Sequence, residues 1–246
     1  VYTETVSDTH TEPEYTSLKY GGTIKLGWGG VYMEGGNSLY EDMVEYAGSD
    51  MNIFCPTWYY LEDNDNGLTM YSEQYYVDLA HSDGYDVWAL LTDSNVSYDF
   101  VEDLLTHTSR RRELVEKIVD DMVEAGIDGL NLDLERIMSD YGDDFIELVR
   151  EFSIACRRAG KFFSVDNYAP YDFNACYHIE EQSRLCDYVM LMAYDDYLGS
   201  GQAGPNSSLP FIREVTDLTV SKVDSSKLVV GLPFYSRLWY SDDGTL

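Results

Sequence analysis

The chain has 246 residues, 44% of them hydrophobic, with 45 Asp and Glu against 16 Lys and Arg, a formal net charge of −29. So acidic a balance excludes a nucleic-acid binder, whose affinity rests on Lys and Arg neutralising phosphates. The apolar content excludes global disorder and suits one large α/β domain or two small ones.

Val1–Tyr15 is polar and acidic rather than basic and then apolar, and nowhere does the chain approach about 18 consecutive apolar residues. It therefore reads as a soluble chain with any export signal already removed and no membrane insertion. Residues 1–22, rich in Thr, Ser, Glu and Asp, predict an acidic lead or linker closed by Gly21 and Gly22. From residue 23 to 246 short β-rich apolar runs alternate with helical periodicity. The runs are Thr23–Trp28, Met51–Cys55, Asp86–Leu91, Gly129–Leu134, Phe162–Asp166, Tyr188–Ala193 and Lys227–Leu232. Before the fourth run, Leu114, Ile118 and Met122 and likewise Val115, Val119 and Val123 recur every four residues and stop at Gly126. Arg110, Arg111 and Arg112 open that helix against its dipole, so packing or a carboxylate must compensate. Phe145, Leu148, Val149, Phe152 and Cys156 mark the next helix, which stops at Gly160.

Seven such alternations predict the α/β fold of a (β/α)8 TIM barrel, which takes about 250 residues, here lacking its last β/α unit. An open doubly wound sheet is the alternative, but Gly27-Trp28-Gly29-Gly30 lacks the dinucleotide-binding glycine spacing. The four cysteines are widely spaced and form no Cys-x-x-Cys pair. They read as buried free thiols, with a disulfide among Cys156, Cys176 and Cys186 the alternative in an oxidising compartment.

Chemistry concentrates in Asp128-Gly129-Leu130-Asn131-Leu132-Asp133-Leu134-Glu135. On a strand Asn131, Asp133 and Glu135 share one face and the leucines the other. Polar groups stacked inside a barrel must hydrogen-bond or share protons, and Glu135 falls at the strand end where barrel active sites lie. A solvated acidic face and a hard-cation site are the alternatives. The four histidines are scattered and read as surface or core residues, so neither a metal nor a cofactor is expected.

This segment resembles the Asp-x-x-Asp-x-Asp-x-Glu signature of family-18 glycoside hydrolases, the chitinase-like barrels, with Asn131 in place of the middle Asp. Met190-Leu191-Met192-Ala193-Tyr194-Asp195 and Gly231-Leu232-Pro233-Phe234-Tyr235-Ser236-Arg237 resemble that family's sixth and seventh strands, in the right order, and Pro56-Thr57-Trp58 adds to them. The likeness is nearest the bacterial spore-associated N-acetylglucosaminidases. It implies a retaining hydrolase of β-1,4-linked N-acetylglucosamine glycans, peptidoglycan ahead of chitin, in which the substrate's own 2-acetamido oxygen is the nucleophile. It casts Glu135 as general acid and then base, Asp133 as orienter of the acetamido group, Tyr194 as its hydrogen-bond donor and Asp195 as a further polar support. Asn131, Trp28, Trp58, Asn167, Tyr168, Tyr235 and Arg237 are the expected substrate-binding residues, the aromatic ones as sugar-stacking platforms. The family's eighth-strand tryptophan has no match, because Trp239 follows Arg237 too closely. The partner is then a polysaccharide, and the place of action is extracellular or at a cell wall or spore. A non-catalytic, lectin-like barrel is the alternative function, and a metal-dependent barrel hydrolase a more distant one.

Overall fold

A computed structural model describes residues 16–47, 50–64, 67–197 and 203–239. The strands are β1 (Leu26–Gly30), β2 (Ile53–Leu61), β3 (Leu68–Met70), β4 (Asp86–Thr92), β5 (Gly129–Asp133), β6 (Phe162–Asn167), β7 (Tyr188–Met192) and β8 (Leu228–Gly231). Between them lie α1 (Tyr40–Ala47), α2 (Gln74–Asp83), α3 (Tyr98–Thr106), α4 (Thr108–Ala125), α5 (Gly142–Ala159), α6 (Ile179–Leu185) and α7 (Leu209–Val220). Neighbouring strands run in the order β1-β2-β4-β5-β6-β7-β8, all parallel, with β3 an antiparallel appendage on β2. These seven parallel strands are the seven predicted runs, and they curl into a TIM barrel whose last β/α unit is absent among the described residues. Among the described residues β8 and β1 do not pair. The seam between them is narrow all the same: a β-carbon on Gly231 of β8 would lie 2.7 Å from the Trp28 ring of β1.

Helices α4 and α5 end where their glycines predict, with Gly126 and Gly160 at φ 78° and 68° in the left-handed region open to glycine. The arginine run at the start of α4 finds its compensation in Arg111. That side chain is buried, donates to the Leu105 carbonyl and pairs with Glu151 of α5 at 3.2 Å.

Two departures from the sequence reading matter. First, β2 is longer than predicted because a bulge between Thr57 and Tyr59 keeps it in register with β4. Second, the predicted lead is not loose where it is described, residues 1–15 of it lying outside the described residues. Leu18 N–H donates to Asp187 Oδ1 at 2.7 Å, Tyr20 N–H to Tyr188 Oη at 2.7 Å, and the Tyr20 ring meets Trp88 edge-on. Residues 16–22 thus close the mouth of the barrel at the N-terminal ends of its strands.

Two apolar layers result. The larger packs the outer faces of the strands against the helices and includes Phe54, Leu91, Ile118, Leu132, Phe152 and Val165. The smaller fills the barrel with Ile53, Cys55, Trp88, Leu90, Tyr188 and Met190, flanked by Trp28 and Phe162. All four cysteines are free thiols, Cys55, Cys156 and Cys186 buried and Cys176 partly so.

Inside the barrel Trp88 and Phe162 stack at 5.1 Å across β5, which presents Gly129 between them. A β-carbon there would lie 2.9 Å from the Trp88 indole and 3.0 Å from Phe162 Cβ. Gly129→Ala therefore overpacks the interior and lowers stability by about 1–3 kcal/mol, read as a lower urea midpoint at unchanged slope.

Candidate active site

Alternation along β5 sends Leu130 and Leu132 outward beneath the helices and Asn131 and Asp133 into the barrel. Asn131 is wholly buried, and both ends of its amide are occupied. Its oxygen accepts from Trp28 Nε1 at 2.7 Å and from Cys55 Sγ at 3.6 Å, while its nitrogen donates to Asp166 Oδ1 at 2.7 Å and to Ser164 Oγ at 3.1 Å. No position on this side chain is left for a substrate. Asn131 and Trp28 form the floor of the site, which corrects the expectation that Asn131 binds sugar directly.

Above that floor stands Asp133. In the parallel register Leu132 pairs with Val165, so Asp133 of β5 and Asp166 of β6 follow side by side. Asp133 Oδ1 is buried and has no hydrogen-bond partner among the described residues. Both carboxyls are held above the ordinary range. For Asp133 the cause is first loss of water and then the charges of Asp166, Glu135 and Asp93. For Asp166 it is again burial, opposed by the Asn131 hydrogen bond and reinforced by Glu135. Two carboxylates this close cannot both ionise freely, so the pair retains a proton where isolated acids would have lost theirs.

Glu135 lies two residues past the end of β5, between buried Leu134 and buried Ile137, and its side chain is exposed at the barrel mouth. Its carboxyl is also raised, by partial desolvation first, with a Tyr168 hydrogen bond opposing and Asp93 and Asp195 adding. Tyr168 follows β6 and its hydroxyl is pushed upward by burial and by the Glu135 charge. Tyr194 follows β7, and its hydroxyl is raised first by burial and then by the charges of Asp166, Asp133 and Glu135.

Asp195, Tyr235 and Arg237 form a neighbouring cluster. Arg237 Nη2 reaches Asp195 Oδ1 at 2.6 Å, the Tyr235 hydroxyl donates to the same oxygen, and the guanidinium lies 5.5 Å from the Tyr235 ring centre. Burial and the hydrogen bond to Asp195 push the Tyr235 hydroxyl up to about 12. Asp195 adopts φ 63°, a left-handed conformation uncommon outside glycine, and the Arg237 and Tyr235 contacts hold its side chain there. The Tyr235 and Tyr194 rings meet edge-on at 6.1 Å, joining this cluster to the carboxylates.

Two expected sugar-binding residues lie elsewhere. Trp58 is wholly buried in the sheet–helix layer, its indole N–H bonded to Asn37 Oδ1 at 2.7 Å and its ring against Tyr76. Trp58 is the extra residue of the β2 bulge, which the sequence does not mark. Asn167 is also buried and exchanges two hydrogen bonds with Gln182 of α6, so it anchors a helix. Exposed rings near the acids are Tyr235 and Tyr168, which is 40% exposed, and beyond Tyr168 half-buried Tyr171 stacks on exposed Phe173. A hollow of about 340 Å³ opens beside Tyr168 and Tyr171 rather than above the carboxylates.

The sequence reading missed Asp166 and Asp93. Asp166 closes a predicted strand in phase with the inward Ser164, and that phase was the available signal. Asp93 follows β4 at the end of the barrel where the other acids gather. Among the described residues no three or more His, Cys, Asp or Glu side chains are grouped to hold a metal ion, and no helix is long and apolar enough to cross a membrane.

Raised acids tie stability to pH. Between about pH 4, where unfolded carboxyls titrate, and the higher range of the folded pair, the native state holds protons that the unfolded state has released. Stability contributed by the pair is therefore full in acid and is lost as pH rises through its folded titration. Asp166→Asn removes one of the two charges and gains on the order of 1 kcal/mol at pH 8 relative to its effect at pH 4. Urea unfolding of both proteins at the two pH values measures this, and an equal effect at both would refute it.

Residues 69–246 match the profile of Glycosyl hydrolases family 18. A relative in Bacillus subtilis, YdhD, whose name provisionally makes it a sporulation-specific glycosylase, is 25% identical over 159 residues, covering 61% of this chain and 36% of YdhD. The chain thus spans little more than a third of that relative. Among solved structures, a class V chitinase of Pseudomonas fluorescens superposes with a TM-score of 0.74 at 18% identity, over 86% of this chain and 68% of that one. The spore cortex-lytic enzyme SleL of Bacillus megaterium gives 0.71 at 15% identity, over 84% and 49%. At these identities the solved structures speak to the fold alone.

Proposed function

The chain belongs to glycosyl hydrolases family 18, and from that premise we propose that it is a retaining glycoside hydrolase cleaving β-1,4-linked N-acetylglucosamine glycans with help from the substrate's acetamido group. One observation carries the reading. An exposed Glu135, whose carboxyl holds its proton above the ordinary range, follows the strand that carries half-buried Asp133 beside buried Asp166, and the charges of all three acids reach the Tyr194 hydroxyl.

In this mechanism Glu135 gives its proton to the glycosidic oxygen as the bond from the anomeric carbon breaks. The acetamido carbonyl oxygen of the same sugar closes on that carbon and forms an oxazolinium ion. Asp133 accepts the acetamido N–H and faces the positive charge, while Tyr194 donates to the acetamido oxygen. Glu135, now a carboxylate, takes a proton from the water that reopens the ring. Two inversions at one carbon leave its configuration retained. An intramolecular nucleophile needs placement and charge stabilisation, which fits a site built of hydrogen-bonding acids. Asp133 serves best as an anion, and Asp166 is the neighbour that can keep the pair's single proton.

Peptidoglycan is favoured over chitin because YdhD is named for sporulation and SleL is titled spore cortex-lytic. Action outside the cell, at a wall or spore, follows from that choice of polymer. Exposed Tyr168 and Phe173, with half-buried Tyr171 stacked on the latter, are the rings on which sugars would stack, and Arg237 and Tyr235 would steady Asp195.

Release of reducing ends from peptidoglycan and from chitin oligosaccharides tests the proposal. Glu135→Gln lowers kcat by about 10²–10⁴-fold with glycan binding kept, and NMR of the fresh product shows the β-anomer. Equal cleavage of a glycan stripped of its acetyl groups, or an α-product, would refute assistance by the acetamido group.

A further inference from the structure

We infer that Asp93 is the positioning residue that holds Glu135 in place. Its carboxylate clamps the two backbone N–H groups that β5 leaves unpaired at the barrel mouth. The inference rests on the proposed role of Glu135 and adds a residue outside the catalytic set.

Strand β5 ends at Asp133, and its ladder with β6 at the Leu132–Val165 pair, so the amides of Glu135 and Arg136 have no strand to bond. Asp93, only 1% exposed, supplies both acceptors: Oδ1 takes Glu135 N–H at 3.0 Å and Oδ2 takes Arg136 N–H at 2.8 Å. The Arg136 side chain returns the contact. Its Nε donates to the Asp93 carbonyl at 3.0 Å and Nη2 to the Ser94 carbonyl at 3.0 Å, with the guanidinium 5.7 Å from the Tyr98 ring centre. Four hydrogen bonds therefore join the end of β4 to the Glu135–Arg136 segment, one from the residue bearing the acid and three from its neighbour. Two consecutive N–H groups are grasped by one anion, each by its own carboxylate oxygen, a charge-assisted pairing that a side chain with a single acceptor oxygen does not reproduce in this geometry. A buried carboxylate is expensive to keep at this spot, and burial does lift Asp93 above the ordinary range, with the two amides and Arg136 opposing. The neighbouring acids Asp133 and Glu135 feel its charge as well.

Asp93→Asn keeps the shape but turns one acceptor into a donor facing an N–H. A group that works by placing the acid matters most when the leaving group needs a proton. The variant should therefore lose on the order of 100-fold in kcat on the native glycan. On an aryl glycoside whose leaving phenolate needs little protonation the loss should stay below about fivefold, with KM changed less than about threefold on both. In hydrogen exchange the Glu135 and Arg136 amides should exchange at least ~10-fold faster in the variant. Equal loss on both substrates, or amide exchange unchanged, overturns the inference. If the unsubstituted protein cleaves neither substrate, the functional reading fails by itself, and amide exchange alone then upholds or overturns the clamp. Should Asp93→Asn not fold, Asp93→Glu, which displaces the carboxylate by one methylene, is put to the same measurements with the same expectations.

Discussion

The amide of Asn131 is the point on which the interior turns. Wholly buried, it ties together four strands: Trp28 on β1 and Cys55 on β2 through its oxygen, Ser164 and Asp166 on β6 through its nitrogen, and β5 by its own backbone. Only a side chain that both donates and accepts can stand between an indole, which has only a proton to give, and a carboxylate, which in its charged form can only receive one. With that bond made, Trp28 lies across the barrel toward Gly231 and narrows the seam between the first and last strands. Everything above is set by this floor, because it fixes the height at which Asp166 and Asp133 meet.

Over the floor, acidity is graded by water. Asp166 is buried, Asp133 is half-buried with Oδ1 shut off from water, and the two hold on to a proton, whereas Glu135 stands at the rim within reach of a hydroxyl and of solvent. Apolar packing does the grading, since Leu134 and Ile137 are buried on either side of Glu135 and force its side chain outward. One short segment thus presents two acids in different environments, the arrangement that allows one to act as a proton donor and the other as a charge.

Much of this was legible in the chain. Apolar runs flanked by glycine and polar residues mark parallel strands because both faces of such strands are buried, and all seven runs are strands of the sheet. Alternation alone places Asn131 and Asp133 on one side, and the same rule applied to Phe162–Asp166 would have brought Asp166 in with them. What stayed hidden depends on partners distant in sequence. The bulge at Trp58 exists because β2 must match β4, the burial of Asn167 because Gln182 lies opposite, and the anchoring of Tyr20 because Trp88 and Phe162 need a lid. Composition made residues 16–22 look solvated, whereas two backbone bonds to Asp187 and Tyr188 tie that stretch down.

Because Asn131 and Asp166 share a single hydrogen bond in a space closed to water, positions 131 and 166 form an either-or pair. A carboxylate at 131 would have to take the place of the one at 166, since both together would set two buried anions edge to edge with only the Trp28 indole, the Cys55 thiol and the Ser164 hydroxyl around them. A change at one site is thus best tolerated when the other changes with it. What the pair keeps constant beside Asp133 is one carboxyl group, whichever strand supplies it.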